Sequence, residues 1–70
     1  MMNNQTSPMW KMENHLLVLE HTDGVFAEIE FNANFEWEVF LMDKYATVEE
    51  RATFTDLPEA MAKASAWVNR

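Results

Sequence analysis

The chain contains no cysteine, which excludes both disulfides and thiolate metal sites. It has a single glycine, Gly24, so no glycine-rich loop can wrap a phosphate. The longest apolar run, Leu16 to Leu19, is far too short to cross a bilayer. Residues 1–12 lack a basic start followed by an apolar stretch of signal-peptide length, so the expected location is the cytoplasm.

Basic residues are also scarce. Five Lys and Arg stand against twelve Asp and Glu, for a net charge of −7. Between Met12 and Asp43 there is no Lys or Arg, while Glu13, Glu20, Asp23, Glu28, Glu30, Glu36, Glu38 and Asp43 all carry negative charge. The other acids (Glu49, Glu50, Asp56, Glu59) are balanced by Lys11, Lys44, Arg51, Lys63 and Arg70. Phosphate binding needs Lys or Arg to displace counterions, so this distribution argues against nucleic acid and against an anionic membrane. It favours a basic protein surface as partner.

What the chain has in quantity is aromatic residues. Five Phe, three Trp and one Tyr can each bury roughly 150–250 Å². That helps a chain of 70 residues, since one so short buries only about 60% of the surface its unfolded form exposes. A homodimer would add further burial. Residues 1–12 read as a flexible N-terminal tail and 13–70 as a single domain. Within the tail Met9-Trp10-Lys11-Met12 is unusual, and Trp10 either tucks onto the domain edge or anchors a partner.

Alternation dominates the middle of the chain. His15 to His21 is a strand candidate, and Asp23-Gly24 after it is a hairpin signal that suits a position requiring φ > 0. Val25, Ala27, Ile29 and Phe31 alternate with Phe26, Glu28 and Glu30. Phe35, Trp37, Val39 and Leu41 alternate with Glu36, Glu38, Phe40 and Met42. A three-residue loop, Asn32-Ala33-Asn34, makes the two apolar faces coincide, with Phe31 opposite Phe35, Ile29 opposite Trp37 and Ala27 opposite Val39. A two-residue loop would invert one face. The same register opposes Glu30 to Glu36 and Glu28 to Glu38, like-charge pairs that destabilise a sheet by less than about 1 kcal/mol each.

Arg51-Ala52-Thr53-Phe54 reads as a short further strand. Asp56 with Glu59 three residues on, and Pro58 in the first turn, mark a helix start. Leu57, Ala60, Met61, Ala64, Trp67 and Val68 then recur at helical spacing, with Trp67 as a large plug. The predicted fold is α+β: an antiparallel β-meander of three to four strands with one C-terminal helix packed on one face.

No catalytic constellation emerges, and no cofactor or metal is expected. Ser7 and Ser65 have no placed histidine partner. His15 and His21 would lie some 20 Å apart along a strand, with Glu20 pointing the other way. The paired carboxylates sit on a surface rather than in a sheltering cleft. The candidate partner-binding residues are therefore Glu28, Glu30, Glu36 and Glu38, with Glu20, Asp23 and Asp43 around them. Phe26, Phe40 and Met42 share the same outward face as an apolar centre ringed by charge.

A polar start, an acidic β-meander and one Ala-rich helix closing in Trp-Val resemble in format the short phage-encoded inhibitor proteins. The anti-CRISPR proteins are nearest in kind and the small phage inhibitors of host RNA polymerase more distant, the likeness covering residues 15–70. The resemblance implies that an acidic surface occupies a Lys/Arg-lined groove of a bacterial protein, such as a CRISPR effector complex, and competes with DNA. The alternative is a structural homodimer in which Phe26, Phe40 and Met42 pack on their symmetry mates.

Overall fold

The computed structural model describes residues 9–20 and 24–69, and all that follows concerns those residues. Five strands and one helix follow in order: β1 (Met9–Glu13), β2 (Leu16–Glu20), β3 (Phe26–Phe31), β4 (Trp37–Met42), β5 (Val48–Phe54) and α1 (Leu57–Val68). The strands form one antiparallel sheet in sequential order. The α+β meander with a covering helix is as expected, with one strand more than the alternation predicted.

The added strand is β1, which takes residues 9–12 out of the expected tail. Trp10 and Met12 alternate with Lys11 and Glu13, and Trp10 pairs with Leu19 and Met12 with Leu17. Trp10 is half-buried against the core, the edge-tucked arrangement rather than the free anchor. Asn14, at φ 58°, turns the chain from β1 into β2; asparagine tolerates that left-handed conformation better than most residues. Gly24 has φ 91°, and a Cβ there would lie 2.8 Å from the Lys44 Cβ, so both backbone and space call for glycine.

The β3–β4 register corrects the predicted one by two residues. Phe31 opposes Trp37, Ile29 opposes Val39, Ala27 opposes Leu41, Glu30 opposes Glu38 and Glu28 opposes Phe40. Parity is as predicted, because a two-residue shift leaves every side chain on its face. The loop is longer than assumed. Asn32 Oδ1 accepts the backbone N–H groups of Asn34 and Glu36 at 2.9 and 3.0 Å, closing a loop over residues 32–36.

The β4–β5 loop repeats this device. Asp43 Oδ1 accepts the N–H groups of Tyr45 and Thr47, each at 2.9 Å. Backbone bonds match as well: Phe35 N–H donates to the Asn32 carbonyl as Ala46 N–H does to that of Asp43. The fourth residue is left-handed in both, Phe35 at φ 62° and Ala46 at φ 66°.

The Thr47 N–H, foremost, and the Tyr45 N–H hold the Asp43 carboxyl below its ordinary value of 3.8. A lowered carboxylate stabilises the fold above its ordinary pKa, and that contribution fades as pH falls through the lowered one. Asp43→Asn is therefore expected to keep the loop, since Asn32 serves the same role, and to lose this part of the acid sensitivity. Melting curves between about pH 2 and 7 check this; an unchanged acid slope would rule it out.

A bulge separates the pairs Leu41–Glu50 and Met42–Val48, with Glu49 as the extra residue. Helix α1 lies mainly over β3 and β4. Ala60 and Ala64, both fully buried, let it approach closely, and with Val68 they meet Leu19, Ala27, Ile29, Val39 and Leu41. Asp56 occupies the N-cap position with extended backbone, but its side chain makes no capping bond, contrary to the capping-box expectation. The helix entry rests instead on Pro58 in the first turn and on the bond from the Ala60 N–H to the Asp56 carbonyl. Trp67 is half-buried rather than a core plug, and its Nε1–H donates to the Met42 carbonyl at 3.1 Å.

Candidate functional site: the uncovered sheet face

Helix α1 covers one face of the sheet, and strand alternation sends every second residue to the other. Two rows of the register define that uncovered face at its centre. One runs Lys11, Val18, Glu28, Phe40, Arg51; the next runs Glu13, Leu16, then Glu30, Glu38, Thr53. Glu20, Phe26 and Met42 form a third. The structure thus gathers Glu20, Glu28, Glu30, Glu38, Phe26, Phe40 and Met42 on one surface.

Two candidate residues lie elsewhere, and a third is outside the described residues. Glu36 sits in the β3–β4 loop, not on a strand. Asp43 belongs to the β4–β5 loop, its carboxylate engaged by the loop backbone. Asp23 lies outside the described residues, as does His21, the second histidine considered as a metal ligand.

The face is not purely acidic. The stretch without bases is flanked by β1 and β5, and each brings a cation. Lys11 Nζ lies 3.0 Å from Glu13 and 3.6 Å from Glu20. Arg51 donates to Glu38 Oε2 at 2.6 Å, and its guanidinium stands 5.3 Å from the centre of the Phe40 ring. His15 Nε2 is 2.8 Å from Glu30 Oε2. Glu13 and Glu20 hold the Lys11 ammonium above its ordinary pKa, the Glu13 hydrogen bond being the largest cause. The stretch between Met12 and Asp43, free of Lys and Arg, thus does not make a face free of them: absence from a stretch of sequence is not absence from a surface. Lys11, Glu13, His15 and Arg51 went unseen because their cross-strand neighbours depend on sheet order.

Glu28 is the exception. It sits on the central strand, half-buried between Val18 and Phe40, and no hydrogen bond or ion pair reaches it among the described residues. Desolvation, first, and then the charges of Glu13 and Glu30 push its carboxyl above the ordinary value of 4.5. The apolar centre is largely covered. Val18 and Met42 are buried, and Phe26 and Phe40 are half-buried.

Comparison with protein-family models, with curated proteins and with solved structures returns no match to this chain.

Other chemistry is sparse. Among the described residues no cluster of three His, Asp or Glu side chains could hold a metal ion. No helix there is long and apolar enough to cross a membrane. A shallow groove of about 180 Å³ is lined by Leu41, Glu50, Lys63, Ala66 and Trp67. Its two charged groups, Lys63 and Glu50, are bound to each other at 3.0 Å.

Proposed function

We propose that the protein is a non-catalytic inhibitor that sets its uncovered sheet face against a Lys/Arg-rich, nucleic-acid-binding surface of a bacterial protein, in the manner of the anti-CRISPR and related phage inhibitors. A CRISPR effector complex is the first partner to test. The observation that supports this reading is Glu28. A carboxylate that is partly desolvated, without an ion-pair partner among the described residues and pressed by two like charges destabilises the free protein. A cation supplied by a partner would reverse that penalty. Glu13, Glu20, Glu30 and Glu38, already paired with Lys11, His15 and Arg51, form the rim. Exposed ion pairs of that kind are worth about 0–1 kcal/mol, so a partner can exchange them at small cost. The homodimer reading draws less support, because Met42 is only 7% exposed and Arg51 overlies Phe40.

Glu28→Gln is expected to raise stability by up to about 1 kcal/mol at pH 7, the range for relieving like charges on a sheet. The sign follows from the raised pKa. The penalty is full above it and is relieved as pH falls through it towards 4.5, so the gain of the variant should shrink below that value. The same variant should displace DNA from the effector less well, by about 2–5 kcal/mol if the acid meets a buried Lys or Arg. Competition at two salt concentrations measures this, since charge-driven binding weakens as salt rises. Unchanged displacement by Glu28→Gln would remove the sheet face as the working surface. Glu38→Gln is a poorer probe because it also releases Arg51.

A further inference from the structure

Phe31 and Phe35 were expected on the apolar inner face, yet they are 48% and 79% exposed. They form one aromatic group with half-buried Trp37. The Phe31 and Phe35 rings meet edge to face at 6.2 Å, and Phe31 lies 4.7 Å from Trp37. The loop does not require this ring. The β4–β5 loop has the same hydrogen bonds and the same left-handed fourth residue, and there alanine, Ala46, fills the position. Phe35 therefore occupies an unfavourable backbone conformation and points a large apolar ring at water, in a loop position that alanine fills equally well in the β4–β5 loop.

The charge around this group is one-sided. The meander puts the β1–β2 turn, the β3–β4 loop and the entry to α1 at one end of the molecule. That end carries Glu36, Asp56 and Glu59, whose carboxylates make no ion pair among the described residues, whereas Glu13, Glu30 and Glu38 lie on the opposite face and are held by Lys11, His15 and Arg51. Among the described cations, Lys44 belongs to the loop at the opposite end, Lys63 is held by Glu50, Lys11 by Glu13, and Arg51 by Glu38. An aromatic group with Glu36 next to it in the loop, and with Asp56 and Glu59 at the same end, suits a guanidinium, whose planar cation stacks on rings while its N–H groups reach acids. A second copy would bring the same negative end to the contact, and nucleic acid would be repelled by it.

We propose that Phe35, backed by Phe31 and Trp37, is a docking point for an arginine-bearing segment of a protein partner. The inference extends the proposed reading, that of a basic protein partner, to a surface separate from Glu28. The test is an NMR titration of the whole chain, following Phe and Trp ring signals, with the peptide acetyl-Gly-Arg-Leu-Arg-Gly-amide. Peptides with lysine or glutamate in place of arginine run alongside. Saturable shifts at Phe31, Phe35 and Trp37 are expected. They should be about threefold weaker in affinity for the lysine peptide, the margin of a modest stacking preference, and absent for the glutamate peptide. Phe35→Ala, whose fold the same spectra verify, should abolish them. Tyr45→Ala, which removes an equally exposed ring from the opposite end, should not. Silent tip rings would overturn the proposal; if amides of Val18, Glu28 and Phe40 move instead, the sheet-face reading survives without it. An equal response to lysine, or tip shifts that follow protein concentration without peptide, would also overturn it.

Discussion

Ile29→Ala is expected to lower the stability of this protein by about 2–5 kcal/mol, the range for deleting a large aliphatic side chain from a core. Ile29 is 1% exposed, lies between Leu17 and Val39 in the register, and belongs to the cluster that α1 covers. A domain of this size has a total stability of about 4–10 kcal/mol on per-residue averages, so the variant should be near its unfolding limit at 37 °C. Urea unfolding measures it. The midpoint should fall while the slope stays near that of the parent. A loss below about 1 kcal/mol would mean that Ile29 is not enclosed between sheet and helix.

The second large effect is expected at Trp67. Its ring packs against the core from the last turns of α1, and its Nε1–H holds the Met42 carbonyl at the end of β4. Trp67→Ala should cost about 3 kcal/mol, the lower end for aromatic truncations because the ring is only half-buried. Trp67→Phe separates the two contributions. It keeps most of the ring contact and removes the donor, so a loss of about 1 kcal/mol is expected. Thermal melts of both variants check the pair. If Trp67→Ala melts with the parent, the end of α1 is not fastened to β4.

These two residues show how far the sequence could be read. Ile29 follows from alternation alone: any register of the right parity places it with Val39 and Leu41 rather than with Glu28. Trp67 follows from helical spacing, but only as a residue on the apolar stripe. Its half-burial depends on where the helix axis crosses the sheet, which no local pattern encodes. Phe31 and Phe35 misled for a related reason. Phe31 keeps the inner-face period at the end of β3, but a period says nothing about whether a cover is present, and Phe35 falls in the loop over residues 32–36, where strand alternation no longer applies.

The acidic face divides along the same line. Glu28, Glu30, Glu38, Phe26, Phe40 and Met42 share a face because successive side chains on a strand point opposite ways, a consequence of chain geometry that holds before any strand has a partner. The composition and the helix over 57–68 were legible on the same footing, since a proline in the first turn and a 3.6-residue period are also local. Three features needed the assembled sheet: the two-residue register shift imposed by the Asn32 loop, the recruitment of residues 9–13 as β1, and the arrival of Lys11 and Arg51 beside the glutamates. Each is a contact between segments distant in sequence. Its energy depends on which strands become neighbours, and that is settled only when loops close and the helix selects one face to bury.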